Sequence, residues 1–363
     1  MRKILVLCGR YGLSGVPLAQ QRLAHLLSDR GHKVTFMPLY ANVDFVIDNE
    51  SQYRFQVPGI PSVFKSIPFL VSYFARERFD LIFSAGDHLN AVCLVCLLIS
   101  FSRSTLCCSS RVTPFDTYFN YKVPFSRSWS IYWLIRLLSW RCSLFSCVSR
   151  DMAAQYSLIF PGLTFVPIYN PISLNYGSTE LYQSRINPFP DVQCRLLAAG
   201  SLEPWKGFDT LINAIALIPD RNFFHLLIAG DGSERANLCY LINDLGLTEH
   251  ITLVGNIQDM NPFYSFADIF ILSSRVEGMP NVLLEALSHQ CSVVSTDCPT
   301  GPSELLSCGA GLLVPVDDAQ SMALAIQSLA STPISPEKCS EALEPFSPSA
   351  IFTQYSHILG YPL

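Results

Sequence analysis

Residues 268–297 read DIFILSSRVEGMPNVLLEALSHQCSVVSTD, and the order of patterns within them decides the fold. An unbroken apolar run through Leu272 is followed by a polar loop with Glu277 and Gly278, then by apolar residues at helical spacing over 280–290, then by a second short apolar run from Ser292. A buried strand, a loop, a helix and another buried strand make one parallel βαβ unit. Pro280 suits the first turn of that helix, where a missing N–H costs nothing. The remaining N–H groups at the helix start, reinforced by its dipole, suit a phosphate, and Gly278 lets a ligand come close to the backbone.

The alternation continues outward on both sides. Before this unit come RLLAAG, GFDTLINAIALI, FFHLLIAG, RANLCYLINDLG, ITLVG and NPFYSFA; after it come PSELLSCG, GLLVP and DAQSMALAIQSLA. The first half repeats the scheme with KILVLC, a helix from 15 ended by Gly31, HKVTFMPL, DLIFSA, STLCCSS, LFSCVS and TFVPIYN. Strands alternating with helices imply parallel sheets covered on both faces, so the fold class is α/β with two doubly wound domains. The boundaries fall at 1–172, a Pro-, Asn-, Ser- and Gly-rich linker at 173–191, and 192–346. The tail reads as helical, broken around Pro345 and Pro348, with a last helix at about 347–363 packing back on the first domain.

Composition narrows the function. With 363 residues, 50% apolar and 15% charged, the chain has ample core and no extensive disorder. A net charge of −5 gives no general attraction for nucleic acid. Thirteen scattered cysteines suit a reducing compartment, and Cys93, Cys96, Cys107 and Cys108 lie in apolar runs that read as core packing. The apolar start reads as a strand, not a signal peptide, and the run at 89–102 is too short to span a bilayer, which takes about 20 residues. A cytoplasmic protein is expected, peripheral on the inner face of the cell membrane.

Ligands of open parallel sheets sit beyond the carboxyl ends of the strands. Three second-half loops at such ends carry Gly200, Ser201 and Lys206; Gly230, Asp231 and Gly232; and Glu277 with Gly278. Each glycine could merely turn the chain, Glu277 could answer the helix dipole, and Glu285 could be a surface residue. Three such loops on one sheet edge favour a binding site. There Lys206 adds a point charge for phosphates, and a carboxylate at Glu285 can accept both hydroxyls of a ribose.

In this order and spacing, LLAAGSLEPWKGFDTLINA, LLIAGDGSERANL, ITLVGNI, the 268–297 stretch, GPSELL and GLLVPVDD resemble glycosyltransferase family 4, the retaining GT-B enzymes that use nucleotide-sugars. Glu277 and Glu285 match that family's E-x7-E motif, and the first half is similar more loosely. The resemblance implies two Rossmann-like domains facing each other across a cleft. It implies that Glu285 binds the donor ribose, Glu277 contacts the transferred sugar, and Gly278, Met279, Pro280, Asn281, Val282 and Leu283 hold sugar and diphosphate. Lys206 would stabilise the leaving phosphate, Gly255, Asn256 and Ile257 would line the base site, and Gly15 would approach the diphosphate from the first domain. Catalysis would rest on Lys206 and Glu277 with no metal or other cofactor, and the donor would be a UDP-sugar. The acceptor would be a glycan or lipid-linked glycan in surface polysaccharide assembly.

The chain departs from the family in two places. Ser201 stands where an arginine is usual, leaving the phosphate clamp to be completed by Arg275 or Arg111. The usual first-domain histidine is missing after the fourth strand, where His88 is the nearest candidate, so His88 and Arg111 are the acceptor-side candidates. Residues 128–141 carry Trp129, Trp133 and Trp140 among arginines, as an interfacial amphipathic helix on an anionic membrane would, or as a large helix packed on the sheet would. A non-catalytic nucleotide-sugar-binding or scaffold protein is the alternative; a dinucleotide oxidoreductase is weaker, because the first loop lacks G-x-G-x-x-G.

Overall fold

In the computed structural model, which describes residues 1–12, 15–41, 53–111, 122–172 and 187–360, the chain divides into two units. One is Met1–Pro171 with Phe346–Leu363, the other Ile172–Pro345. Most of the sequence-read linker, 173–186, lies outside the described residues.

The first unit carries β1 (Lys3–Tyr11), β2 (Lys33–Ala41), β3 (Arg54–Phe55), β4 (Leu81–Ala85), β5 (Thr105–Ser110), β6 (Cys142–Cys147) and β7 (Phe165–Pro167), all parallel, in the order β3-β2-β1-β4-β5-β6-β7. Its helices are α1 (Gly15–Asp29), α2 (Ile67–Arg76), α3 (Asp87–Ile99), α4 (Arg127–Leu138) and α5 (Arg150–Ile159). Ser126 and Ser149 accept from the N–H groups of Trp129 and Met152 and so cap α4 and α5. The apolar run at 89–102 is the buried helix α3, and burial pushes the thiol of Cys96 up to about 12, which keeps it protonated and inert.

The second unit contains β8 (Cys194–Ala199), α6 (Phe208–Leu217), β9 (Phe224–Ala229), α7 (Arg235–Asp244), β10 (Ile251–Gly255), α8 (Asn261–Phe266), β11 (Ile269–Leu272), α9 (Asn281–Ser288), β12 (Ser292–Thr296), α10 (Pro302–Leu305), β13 (Leu312–Val314), α11 (Ala319–Ser331) and α12 (Pro336–Leu343). Its parallel sheet runs β10-β9-β8-β11-β12-β13. Every residue of β9, β11 and β12 is buried, as strands covered on both faces require. After Phe346 the chain rejoins the first unit with α13 (Pro348–Ile358), whose Tyr355 packs edge-on against Phe83 of β4 at 5.2 Å.

The helix read at 280–290 is shorter. Pro280 is its cap with an extended ψ of 98°, and the left-handed Gln290 ends it, so Glu285 lies just over one turn in. Likewise the helix read at 128–141 is α4 followed by a 3-10 turn at Ser139–Arg141.

In both sheets the strand order reverses once, between β1 and β4 and between β8 and β11. At such a switch the connecting loops leave in opposite directions and open a crevice at the carboxyl ends. In the second unit β8 and β11 pair at only two positions, Leu196–Ile269 and Leu197–Phe270. At their amino ends Arg195 grips Asp268 bidentately, at 2.9 and 2.7 Å, so the strands are fastened at one end and part at the other.

Two glycines allow the loops above this crevice to touch. A Cβ on Gly230 would lie 1.8 Å from the Gly200 carbonyl oxygen, and one on Gly207, left-handed at φ 63°, 2.1 Å from that of Ser273. Gly230→Ala is expected to cost about 2–4 kcal/mol in urea unfolding, since backbone must move. Gly246→Ala, left-handed with nothing near its would-be Cβ, should cost about 1 kcal/mol. Equal costs would show that the loops do not depend on this contact.

Candidate functional site

Lys206 ends a short 3-10 turn after β8, and Glu277 lies in the loop after β11, on opposite sides of the parted strands. The lysine Nζ donates to Glu277 Oε1 at 2.5 Å, with both side chains largely buried. Ser274 Oγ donates to the same oxygen at 2.7 Å, and Thr300 Oγ1 donates to the Glu277 backbone carbonyl. Ser273 Oγ donates to the Lys206 carbonyl at 2.8 Å, holding the turn that carries the lysine. A pair this enclosed falls between the roughly 1 kcal/mol of exposed ion pairs and the roughly 3–5 kcal/mol lost when one partner of a buried pair is removed.

After Gly278, Met279 and Pro280, α9 begins with no side-chain cap. The Leu283 N–H is spent on the Pro280 carbonyl at 3.0 Å and its side chain is core, so this residue offers a ligand neither. Met279 and Pro280 are buried, and Asn281 and Val282 half-buried. Gly301, left-handed at φ 93°, backs the loop; a Cβ there would come 2.9 Å from the Gly278 carbonyl oxygen.

Glu285 is held by a residue that no pattern in the sequence singles out. Tyr264 of α8, fully buried, donates its hydroxyl to Glu285 Oε2 at 3.0 Å. Its ring stacks on His289 at 5.5 Å, and His289 Nδ1 lies 2.9 Å from the Glu285 carbonyl oxygen. Burial holds the His289 imidazole below its usual pKa, favouring the neutral ring. Tyrosine, histidine and glutamate thus form one cluster along the second half of α9, from Glu285 to the C-cap His289. Tyr264 precedes the acid by 21 residues and belongs to another helix, so spacing alone cannot pair them.

The remaining candidates are spread along the sheet edges. The Lys206 stem crosses Gly200, whose would-be Cβ lies 3.7 Å from Lys206 Cδ, while Ser201 is exposed. Gly255, exposed Asn256 and Ile257 lie at the end of β10, two strands from β8. Gly15 opens α1 and His88 sits in the first turn of α3, both beside the β1/β4 switch of the first unit. Burial, then the charge of Arg127, lowers the pKa of His88, whose ring is edge-on to Phe64 at 6.1 Å.

Neither expected substitute for the missing arginine is disposed as a phosphate clamp. Arg275 donates to Asp317 at 2.7 Å, to Asp209 at 2.8 Å and to the Pro204 carbonyl, bracing the Lys206 turn from behind. Arg111 donates to Asn170 within the first unit, where desolvation lowers its pKa. The same unit holds a buried Asp87 that accepts from Ser110 and Tyr156, each at 2.6 Å. Among the described residues no helix is long and apolar enough to cross a membrane, and no group of three or more His, Cys, Asp or Glu is placed to hold a metal.

The family model falls within the second unit. Residues 193–332 match the family model of the glycosyl transferases group 1. Over 135 residues the chain is 37% identical to the lipopolysaccharide core biosynthesis glycosyltransferase LpsE of Rhizobium meliloti, covering 37% of this chain and 38% of LpsE. Over 130 residues it is 38% identical to the Campylobacter jejuni N-acetylgalactosamine-N,N'-diacetylbacillosaminyl-diphospho-undecaprenol 4-alpha-N-acetylgalactosaminyltransferase, covering 35% of this chain and 34% of that enzyme. The match thus spans little more than a third of these relatives' length. Anabaena HepE, solved with UDP and glucose, superposes with a TM-score of 0.81 at 19% identity, covering 99% of this chain and 100% of HepE. That likeness shows the fold: two Rossmann-like domains of the GT-B class.

The bracing role of Arg275 has a direct check. Arg275→Met should lower unfolding stability by about 1–2 kcal/mol, the scale of charge-assisted hydrogen bonds at a half-exposed site. Asp317→Asn combined with Arg275→Met should add little further loss, because the two residues act through one contact. Additive losses in the double-mutant cycle would separate them.

Proposed function

We propose that the protein is a retaining glycosyltransferase that moves a sugar from a UDP-sugar to a glycan or lipid-linked glycan during lipopolysaccharide or exopolysaccharide assembly. The observation that carries this is the Lys206–Glu277 pair across the parted strands β8 and β11, with the uncapped start of α9 next to it and Glu285 one turn further. The relatives' names support the pathway, and the undecaprenol in the name of the Campylobacter enzyme supports a lipid-linked acceptor. UDP in the HepE structure supports the nucleotide.

In this reading each group has a physical task. The donor diphosphate lies at the start of α9, where backbone amides and the helix dipole favour negative charge. Lys206 turns from Glu277 to the leaving phosphate, whose charge grows as the glycosidic bond breaks, so the interaction strengthens in the transition state. Glu277 then accepts from the hydroxyls of the transferred sugar. Glu285, its carboxylate plane fixed by Tyr264, accepts from the ribose hydroxyls. Lys206 and the helix start supply the positive field, so the reading includes turnover without a divalent metal. His88 and Arg111 belong to the acceptor side.

A second reading rests on one observation: the loops after β8 and β11 hold two basic residues, Lys206 and Arg275, and Arg275 is committed to Asp209 and Asp317. A phosphate clamp that poor in charge suits a protein that binds nucleotide-sugars without transferring them.

Release of nucleoside diphosphate from a panel of UDP-, GDP- and ADP-sugars, in EDTA, decides between them. The enzyme reading expects turnover that falls about 10²–10³-fold in Lys206→Ala, mainly in kcat. Glu285→Ala should weaken UDP binding about tenfold or more, and Tyr264→Phe about three- to tenfold with little change in kcat. Tight UDP binding without release from any donor would favour the binding protein. Full UDP affinity in Glu285→Ala would remove the ribose assignment.

A further inference from the structure

We infer that the outer face of α4, together with the turns at Phe101 and Phe125, docks on an anionic membrane surface. This deepens the lipid-linked-acceptor reading, on which its purpose rests, while its test reads no glycosyl transfer.

Helix α4 is apolar on two faces, one packed and one exposed. Ile131 and Ile135 are buried where α4 packs on α3. A second row at helical spacing, Trp133, Leu137 and Trp140, points outward and is 39%, 65% and 69% exposed. The row extends past the helix start, because the Phe125 ring lies 5.3 Å from Trp129 and Trp129 lies 6.3 Å from Trp133. At the other end Arg141 donates to the Ser102 carbonyl at 2.5 Å, which brings the Phe101 turn beside Trp140. From 125 to 140 the ridge is about 22 Å long at 1.5 Å per helical residue.

The two phenylalanines single this surface out. Phe101 is 90% exposed at φ 52° and Phe125 is 88% exposed at φ 62°. Left-handed backbone is unfavourable for a bulky side chain, and full exposure returns nothing to the fold. Both are therefore unfavourable in the protein alone, yet Phe125 extends the aromatic ridge and Phe101 lies in the turn that Arg141 ties to its other end.

Charge selects the partner. The ridge is flanked by Arg127, Arg136 and Arg141, in a chain whose net charge is −5. Arg127 lies over the Phe64 ring at 4.9 Å, Arg136 donates to the Pro161 carbonyl at 2.9 Å, and Arg141 lies over the Trp140 ring at 5.6 Å. Rings and carbonyls hold these cations, and among the described residues no carboxylate pairs with them. A ridge of Trp, Leu and Phe flanked by these arginines matches the boundary between lipid headgroups and acyl chains. The Phe125 end lies near the first unit's switch point, since Arg127 covers Phe64 and Phe64 meets His88.

The test is co-sedimentation of the full chain with vesicles of phosphatidylglycerol and phosphatidylethanolamine, beside vesicles of phosphatidylcholine alone. Binding to the anionic vesicles is expected, weakened by salt and several-fold poorer on phosphatidylcholine. The triple variant Trp133→Ser, Leu137→Ser, Trp140→Ser should reduce it about tenfold or more. Phe101→Gly should reduce it at least about threefold while the melting temperature holds or rises, because glycine accepts the left-handed turn. No sedimentation, equal binding to both vesicle types, or undiminished binding by the triple variant would overturn the inference. So would a wild-type dimer that the triple variant dissolves without vesicle binding, which would assign the ridge to a second copy of the chain. Donor turnover by Lys206 is scored separately, so either proposal can fail alone.

Discussion

The parting of β8 and β11 is the constraint on which the second unit's site depends. Arg195 and Asp268 fasten the amino ends of these strands with a two-pronged ion pair, and pairing stops after two residues. Because the strand order reverses here, α6 and α9 leave on different sides and nothing in the sheet fills the gap. Lys206 and Glu277 are side chains of the two loops that flank it, and their distance from each other follows from where the strands separate.

Around that opening the loops are fixed by backbone packing more than by side-chain burial. Gly230 rests on Gly200, Gly207 on Ser273 and Gly301 on Gly278, so four loops are positioned through backbone atoms that carry no side-chain identity. Polar side chains then set the finer aim. Ser274 and Thr300 hold the Glu277 segment, Arg275 holds the Lys206 turn, and Tyr264 holds the carboxylate of Glu285. Such rigidity suits a site that must place a reacting bond, since small errors of position are costly in rate.

Much of this is legible in the sequence, for identifiable reasons. Alternating runs such as FFHLLIAG and RANLCYLINDLG carry their period locally, so the two parallel sheets, the loops bearing Lys206 and Glu277 and the helix bearing Glu285 can be read without a structure. What cannot be read is partnership across the chain. Arg275 looks free for a phosphate, yet Asp209 and Asp317, 66 and 42 residues away, occupy it. Tyr264 sits in an ordinary short helix, and only the fold places its hydroxyl on Glu285. Two elements, β3 and α2, escape a sequence reading because Arg54–Phe55 is too short to show alternation and Ile67–Arg76 begins at an Ile-Pro that reads as a turn. For α4 the sequence leaves an interfacial helix and a packed helix both open, and the fold shows a packed face at Ile131 and Ile135 beside an exposed row of Trp133, Leu137 and Trp140.

If the proposed function holds, the Lys206–Glu277 pair would also bear on which molecules the crevice takes. Within the pair each charge already has its counter-ion, so the site exerts little pull on anions at large, and inorganic phosphate meets a lysine that is engaged. A ligand with only a diphosphate draws Lys206 away and strands Glu277 without its cation; one with only hydroxyls has nothing to release the lysine. A molecule that brings an anion and hydroxyls together satisfies both at once. Under the proposed function the ion pair would thus favour a ligand that carries both parts.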